Sequence, residues 1–226
     1  MNRLTGDLIM AGGFAAFFWG LMKLFQGDPV KVPGGNVTIG KPRVVLSTPA
    51  VRPALVAPQA LEGGRVQQTQ QTGRLSFEQA KGLAVSVTSR YFQNVDPKML
   101  VAMIQIESSF NPRAVRFEAN IRNRYTPNGD SSYGLMQTLW STALWLYQDM
   151  GATAFSVATA QRLFDPTVSV YFGAAYVNWL LRWKGVARSE DWIVMSYNGG
   201  PGADNSQTRN HLRKYHEAKA SQAGGW

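Results

Sequence analysis

Helix start signals recur along residues 76–226, and they constrain the fold more than any other feature of the sequence. Ser76 and Gln79 have the spacing of a capping box, in which each side chain binds the other residue's backbone N–H group. Two Asp-Pro pairs further along combine an N-cap side chain with a proline at the first helical position. Apolar residues follow at helical spacing, whereas no run alternates in the manner of a half-buried strand. The sequence therefore predicts a mostly α domain over residues 76–226.

The predicted helices begin at these signals and end at glycines or turns. In chain order we expect a helix from 76 to about 91, a helix over 97–108, a long polar loop over 109–133, a helix over about 139–150, a helix from 166 to about 185, a short helix from 190 to the turn at 198–202, and a final basic helix. The 166–185 helix carries one apolar stripe, made of Val170, Ala174, Val177 and Leu181.

Residues 1–26 form a separate hydrophobic segment. Residues 8–22 carry no charge, and apolar residues resume after Lys23. The run is slightly short for a spanning helix, although Lys23 can extend it by reaching the interface. We interpret residues 1–26 as a hydrophobic helix that interacts with a membrane through residues 8–25. A cleaved signal peptide and a helix that packs inside a larger assembly are the alternatives.

Residues 27–75 are predicted to form an extended linker. They are rich in Pro, Gly, Val, Gln and Thr and show neither helical nor strand periodicity. Such a composition buries too little apolar area to offset the entropy of ordering the chain. A set of short strands around Val44, Val45 and Leu46 is the alternative.

The net charge of +9, from 23 basic and 14 acidic residues, suits an anionic polymer. Nucleic acid, acidic lipid and bacterial cell wall all qualify, but no nucleic-acid-binding motif is visible, so we expect no specific nucleic-acid partner.

Zero cysteines exclude disulfides and thiolate metal sites. The only histidines, His211 and His216, are too few for a His-rich metal site and argue against a Ser–His–Asp triad. We expect no metal and no cofactor.

Glu107 is a carboxylate at a helix position where an apolar side chain is expected. Leu100, Met103 and Ile104 lie on one stripe of the 97–108 helix, and position 107 is the next on that stripe. Burial and the negative end of the helix dipole both raise the pKa of a carboxyl group. An acid that keeps its proton near neutral pH can protonate a glycosidic oxygen. A glutamate that turns to solvent or pairs with an arginine is the structural alternative.

Two further clusters carry side chains suited to sugars. Gly134 fits a close backbone approach, and Gln137 offers both an amide donor and an acceptor. Tyr197 and Asn198 add a phenol and an amide at the end of a predicted helix. Each cluster also has a structural interpretation, as a surface amide or a half-buried core residue. Aromatic side chains that could stack on sugars or fill the core are Tyr133, Trp140, Trp145, Trp179, Trp183 and Trp192.

Four motifs together are more specific than any one of them. In chain order they are Glu107-Ser108-Ser109-Phe110-Asn111-Pro112, Gly134-Leu135-Met136-Gln137, Leu163-Phe164-Asp165-Pro166 and Ser196-Tyr197-Asn198-Gly199-Gly200-Pro201-Gly202. This series resembles that of the soluble lytic transglycosylases, lysozyme-like enzymes that cleave peptidoglycan, and is similar also to goose-type lysozymes. The resemblance covers about residues 76–220 and implies a helical, lysozyme-like fold.

The resemblance also implies functional residues. Glu107 would be the catalytic acid and then the base. The implied substrate-binding residues are Ser108, Met136, Gln137, Tyr197 and Asn198. The sequence departs from the family pattern in a longer loop before Gly134, in Tyr133 where a small residue is common, and in Ser196 and Gly199 where alanines are common.

The number of carboxylates bears on the reaction. An ordinary two-carboxylate glycosidase needs a second acid about 5–10 Å from the first. The one other acid in the matched motifs, Asp165, is already assigned as a helix N-cap. Other acids that could serve are Glu118, Asp130, Glu190 and Asp191. For the peptidoglycan substrate that the resemblance implies, we therefore expect cleavage of the bond between N-acetylmuramic acid and N-acetylglucosamine with closure of a 1,6-anhydro sugar. A hydrolytic muramidase and a non-catalytic, membrane-anchored wall-binding or envelope-assembly protein are the alternatives.

The order of hydrophobic segment, linker and wall-cutting domain suits local opening of the cell wall beside a membrane. We expect the protein either in a bacteriophage virion, where it would act during genome delivery, or in a bacterial inner membrane facing the periplasm. Other virion or envelope-complex proteins would then be its partners.

Overall fold

The computed structural model describes residues 73–226. The hydrophobic segment over residues 1–26 and nearly all of the predicted linker lie outside the described residues. Among the described residues, no helix has both the length and the apolar character needed to cross a membrane.

The described residues form six α-helices and three short strands. The helices are α1 (Phe77–Tyr91), α2 (Pro97–Ser108), α3 (Trp140–Gln148), α4 (Pro166–Leu181), α5 (Glu190–Gly199) and α6 (Ser206–Ser221). Turns of 3₁₀-helix occur at Ala160–Phe164, Trp183–Gly185 and Ala223–Gly225. The mostly α prediction is confirmed, and each predicted helix is present.

The helices begin where the local chemistry indicates. Ser76 Oγ accepts the N–H of Gln79 at 3.2 Å, and Gln79 Oε1 accepts the N–H of Ser76 at 2.8 Å, which completes the capping box of α1. The carboxylates of Asp96 and Asp165 accept backbone N–H groups in the first turns of α2 and α4. These bonds satisfy donors that a helix N-terminus leaves without a partner.

Helix α4 forms the centre of the domain. Every residue from 168 to 177 is buried, and α4 packs against α1, α3 and α5. The predicted stripe of Val170, Ala174 and Val177 is buried, but Leu181 is half-buried at the end of the helix. A helix that is apolar all round occupies the core rather than a surface, so a single stripe underestimates its burial.

The prediction of a polar loop over residues 109–133 without strands is wrong. Strands β1 (Val115–Glu118), β2 (Asp130–Tyr133) and β3 (Thr138–Leu139) form an antiparallel sheet in the order β1-β2-β3. The two buried positions of β2 hold the polar residues Asp130 and Ser132, and β1 is largely exposed. The sheet therefore lacks the apolar alternation from which a strand is predicted.

Candidate active site

A cleft lies between the end of α2, the sheet, α4 and the turn after α5. Its lining residues are Glu107, Arg116, Glu118, Ile121, Ser132, Gln137, Thr138, Leu139, Thr142, Tyr176, Tyr197, Asn198, Gly199, Gly200 and Pro201. Four of the residues predicted from sequence meet here from three separate motifs: Glu107, Gln137, Tyr197 and Asn198.

Glu107 lies in the last turn of α2, where its side chain is only 10% exposed. The helix ends at Ser108, and Ser109 and Phe110 after it both adopt positive φ, at 50° and 63°. Burial raises the pKa of the Glu107 carboxyl from 4.5 to about 8, and the positive charge of Arg116 opposes that rise. The carboxyl group is therefore largely protonated at neutral pH, as expected from its place on the apolar stripe.

The amide of Gln137 holds the sheet together beside the cleft. Its Nε2 donates to the carbonyls of Ala114 and Gly134 at 3.1 and 3.0 Å, and its Oε1 accepts from Ser132 Oγ at 3.0 Å. Gln137 itself has a positive φ of 44°. The side chain thus lines the cleft with an amide already engaged by the protein, and its contact with a sugar stays a prediction.

Tyr197 joins α5 to the segment before β3. Its hydroxyl donates to the Met136 carbonyl at 2.9 Å and lies 3.2 Å from Thr138 Oγ1. Burial, together with the nearby charge of Glu107, raises the pKa of the phenol far above its ordinary value. Tyr197 is therefore a neutral phenol that positions the cleft wall facing Glu107.

Asn198 lines the cleft as a residue of the last turn of α5. Its Oδ1 is buried and has no hydrogen-bond partner among the described residues, which is costly for a carbonyl oxygen. Contact of its amide with a sugar stays a prediction.

Ser108 and Met136 are not among the residues that line the cleft. The Ser108 hydroxyl donates to the Ile104 carbonyl at 3.1 Å, within α2. The Met136 side chain is fully buried against Gly173, where an added Cβ would lie 2.6 Å from it. Met136 reaches the site through its carbonyl, which Tyr197 binds, and direct substrate contacts of both residues stay predictions.

Residues 88–219, more than half of the chain, match the family described as Transglycosylase SLT domain. The chain belongs to this family. Similar solved structures include an inactive mutant of the lytic transglycosylase Slt from Pseudomonas aeruginosa, with 19% identity over 64% of this chain and 24% of that one, at a TM-score of 0.48. The 70 kDa soluble lytic transglycosylase SLT70 from Escherichia coli has 20% identity over 59% of this chain and 19% of that one, at a TM-score of 0.40.

The chain thus corresponds to about a quarter or less of the length of these two proteins. A comparison with curated protein sequences gives no match.

Two departures of the SLT domain from the common pattern have physical reasons. Ser196 is fully buried, and its hydroxyl accepts the N–H of Gly202 at 3.1 Å, which ties the end of α5 to the turn after it. An added Cβ at Gly199 would lie 2.5 Å from Thr208 Cγ2 on α6. Glycine at position 199 therefore allows α5 and α6 to approach closely beside the cleft.

The SLT domain also brings residues to the site that sequence reasoning missed. His211, on α6, places Nε2 3.3 Å from Glu107 Oε1, and Arg116 on β1 lines the cleft. The signal for His211 was its place between the buried residues Thr208 and Tyr215 on an otherwise polar helix. Arg116 carried no signal, because the strand that directs it was not predicted.

Of the four acids considered as a second carboxylate, Glu118 alone lines the cleft, and it pairs with Arg116. The others have partners elsewhere: Asp130 accepts the backbone N–H groups of Ser131 and Ser141, Glu190 binds Tyr215 and Lys219, and Asp191 pairs with His216. No group of three or more His, Asp and Glu side chains within residues 73–226 is arranged to hold a metal ion.

Proposed function

We propose that this SLT domain is a peptidoglycan lytic transglycosylase. It would cleave the β-1,4 bond between N-acetylmuramic acid and N-acetylglucosamine and leave a 1,6-anhydro product. The observation that carries the proposal is a buried, protonated carboxylic acid, Glu107, in the cleft of a domain that belongs to the transglycosylase SLT family.

The proposed reaction uses Glu107 twice. The acid first protonates the glycosidic oxygen, the bond from that oxygen to C1 of the muramic acid breaks, and the substrate's own acetamide stabilises the developing positive charge. The 6-hydroxyl oxygen of the same sugar then bonds to C1, and its proton passes to Glu107. The enzyme is restored and no net water is consumed.

The products of cell-wall digestion test the reaction. We expect mass spectrometry of purified peptidoglycan treated with the full chain to detect muropeptides lighter by one water than the hydrolysis products. Glu107→Gln should abolish their release, while Glu118→Gln, which changes the other cleft carboxylate in the same way, should retain it. Full activity in Glu107→Gln would overturn the assignment.

A muramidase is the second candidate, because Glu118 lines the same cleft as Glu107. In that reaction a second carboxylate activates water or acts as nucleophile. Products heavier by one water, lost in Glu118→Gln as well as in Glu107→Gln, would favour it.

Sedimentation of the chain with insoluble peptidoglycan, without release of any fragment, would favour the non-catalytic wall-binding alternative.

We further propose that residues 8–25 hold the enzyme at a membrane, in a phage virion during genome delivery or at the bacterial inner membrane facing the periplasm. The support is the uncharged run over residues 8–22 and the Pro-rich segment that separates it from the SLT domain. We expect the full chain to float with liposomes and a chain lacking residues 1–26 to stay behind. Equal flotation of both chains would contradict the proposal.

A further inference from the structure

His211 and Glu107 face each other from two helices that pack together. His211 Nε2 lies 3.3 Å from Glu107 Oε1, and the two side chains are only 11% and 10% exposed. Helix α6 packs against both α2 and α5, and the contact of His211 with Glu107 joins α6 to the last turn of α2. The buried Nε2 has no hydrogen-bond partner among the described residues. A buried polar nitrogen without a partner is costly, and Glu107 Oε1 is a carboxyl oxygen close enough to be that partner.

Both groups are neutral near pH 7. Burial, together with the charges of Lys214 and Arg116, lowers the pKa of His211 to about 4, while burial raises the pKa of Glu107 to about 8. The contact is therefore a pairing of an imidazole with a carboxylic acid rather than an ion pair. A neutral imidazole has one N–H donor and one acceptor nitrogen. The titratable or charged groups around the pair are Arg116 and Glu118 on β1, Tyr176 on α4, Tyr197 on α5 and Lys214 on α6.

Three polar side chains that line the cleft have hydrogen-bond or ion-pair partners other than Glu107. The Tyr197 hydroxyl donates to the Met136 carbonyl, and the Gln137 amide donates within the sheet. Arg116 pairs with Glu118. Among the described residues, His211 is the only basic side chain (Lys, Arg or His) that places a nitrogen within 4.0 Å of the Glu107 carboxyl.

We propose that His211 is the positioning residue of Glu107, with Nε2–H donating to Oε1 and thereby leaving the acidic proton on Oε2. This inference rests on the proposed function, in which Glu107 must release that proton to the substrate. If Glu107 donated to Nε2 instead, its acidic proton would sit on Oε1 and point at the imidazole, away from the glycosidic oxygen. The same N–H group stabilises the carboxylate after proton transfer, since hydrogen bonds to charged groups are the stronger ones.

The test compares three histidine variants of the full chain. His211→Gln keeps an amide N–H near the position of Nε2, whereas His211→Leu removes the donor at similar volume. His216→Leu is the matched control, because His216 lies on the same helix, is 52% exposed and pairs with Asp191 instead. Initial rates of fragment release from soluble glycan strands, measured from pH 5 to pH 10, separate kcat from KM.

In wild-type protein, activity should fall at alkaline pH as Glu107 loses its proton. Without the donor the carboxylate is less stable, so in His211→Leu this fall should move upward by about one pH unit, with kcat reduced at least about tenfold and KM within about twofold. His211→Gln and the control should keep the wild-type position of the fall. The proposal would be overturned if activity of His211→Leu falls at the same pH as in wild type, because a role in packing alone leaves the pKa of Glu107 unchanged. It would also be overturned if activity falls at a lower pH, because the loss of a proton acceptor at position 211 lowers that pKa.

A second measurement needs no activity. Titration of the Glu107 carboxyl carbon by nuclear magnetic resonance, without substrate, should give the same upward shift in His211→Leu and not in His211→Gln. If the wild type releases no fragment but this shift occurs, the pairing stands and the proposed function fails. If His211→Leu does not fold, His211→Asn replaces it, because its shorter amide does not reach the position of Nε2. An unshifted titration in that variant would also overturn the pairing.

Discussion

Burial of the Glu107 carboxyl carries a thermodynamic cost that depends on pH. The pKa is about 8 in the folded domain and near 4.5 for an exposed glutamate. Between these values the unfolded chain loses the proton while the folded domain keeps it, so the free energy of unfolding decreases as the pH rises. Stability is therefore lost progressively between about pH 4.5 and pH 8 through this one group.

Glu107→Gln should remove this cost, because an amide does not ionise. We expect the variant to gain about 2–4 kcal/mol in the free energy of unfolding at pH 8 and less than about 1 kcal/mol at pH 5. Urea denaturation of both proteins at the two pH values measures the difference. An equal gain at both would mean that the carboxyl is not buried in its protonated form.

Tyr197→Phe should destabilise the domain through one hydroxyl. Its loss leaves the Met136 carbonyl without the 2.9 Å hydrogen bond it receives and removes the contact with Thr138. We expect a decrease of about 1–2 kcal/mol in the free energy of unfolding, together with reduced activity, since the cleft wall facing Glu107 is then less ordered. If Tyr197→Phe keeps the denaturation midpoint and the activity of wild type, the hydrogen bond to the Met136 carbonyl does not position the cleft wall.

At the scale of elements, the cleft depends on the sheet, and the sheet depends on contacts with the segment before α4. Gly134 follows β2 with a φ of 71°, and an added Cβ would lie 2.0 Å from the Leu163 carbonyl oxygen. The second and third sequence motifs therefore touch at this glycine. The absence of a side chain is required both by the backbone conformation and by the close approach.

Gly134→Ala and Gly151→Ala form a matched pair. Both glycines have positive φ, at 71° and 75°, but Gly151 has no atom within 4 Å of an added Cβ. We expect Gly151→Ala to cost about 1–2 kcal/mol and Gly134→Ala at least about 3 kcal/mol, with loss of activity only in the latter. Thermal unfolding monitored by circular dichroism compares them, and equal losses would contradict the close approach.

At the scale of the whole molecule, Trp226 links the residues after α6 to the other side of the domain. Its ring packs edge-to-face on Phe77 at 6.2 Å, and Lys81 and Lys98 lie 5.2 and 5.5 Å from its centroid. The contact joins α6 to α1 and α2, and none of its residues lines the cleft. It therefore acts on stability rather than on chemistry.

Trp226→Ala should lower the free energy of unfolding by about 1–2 kcal/mol, because a half-buried aromatic ring and two cation–π contacts are lost. Fragment release at 25 °C should stay within about twofold of wild type. Trp226→Phe, which keeps an aromatic ring at this position, should lose less. A large loss of activity at unchanged stability would mean that this contact reaches the cleft.

Local chemistry specifies most of the helical framework. Capping side chains at Ser76, Asp96, Asp165 and Ser189 act on backbone groups within three residues of themselves, so their effect is visible in the sequence. The same holds for the apolar stripe that leads to Glu107, from which its burial and raised pKa were predicted. These interactions depend on spacing along one helix and on nothing further away.

The sheet and the surroundings of Glu107 depend on packing between distant segments. Asp130 and Ser132 are buried in β2 because backbone and side-chain partners elsewhere satisfy them, and this leaves no apolar pattern to read. Arg116 on β1 and His211 on α6 come near Glu107 only when the chain folds. The sequence predicts that Glu107 is an acid. The folded arrangement determines which groups orient it and move its proton, because the pKa of an acid responds to every nearby group in space.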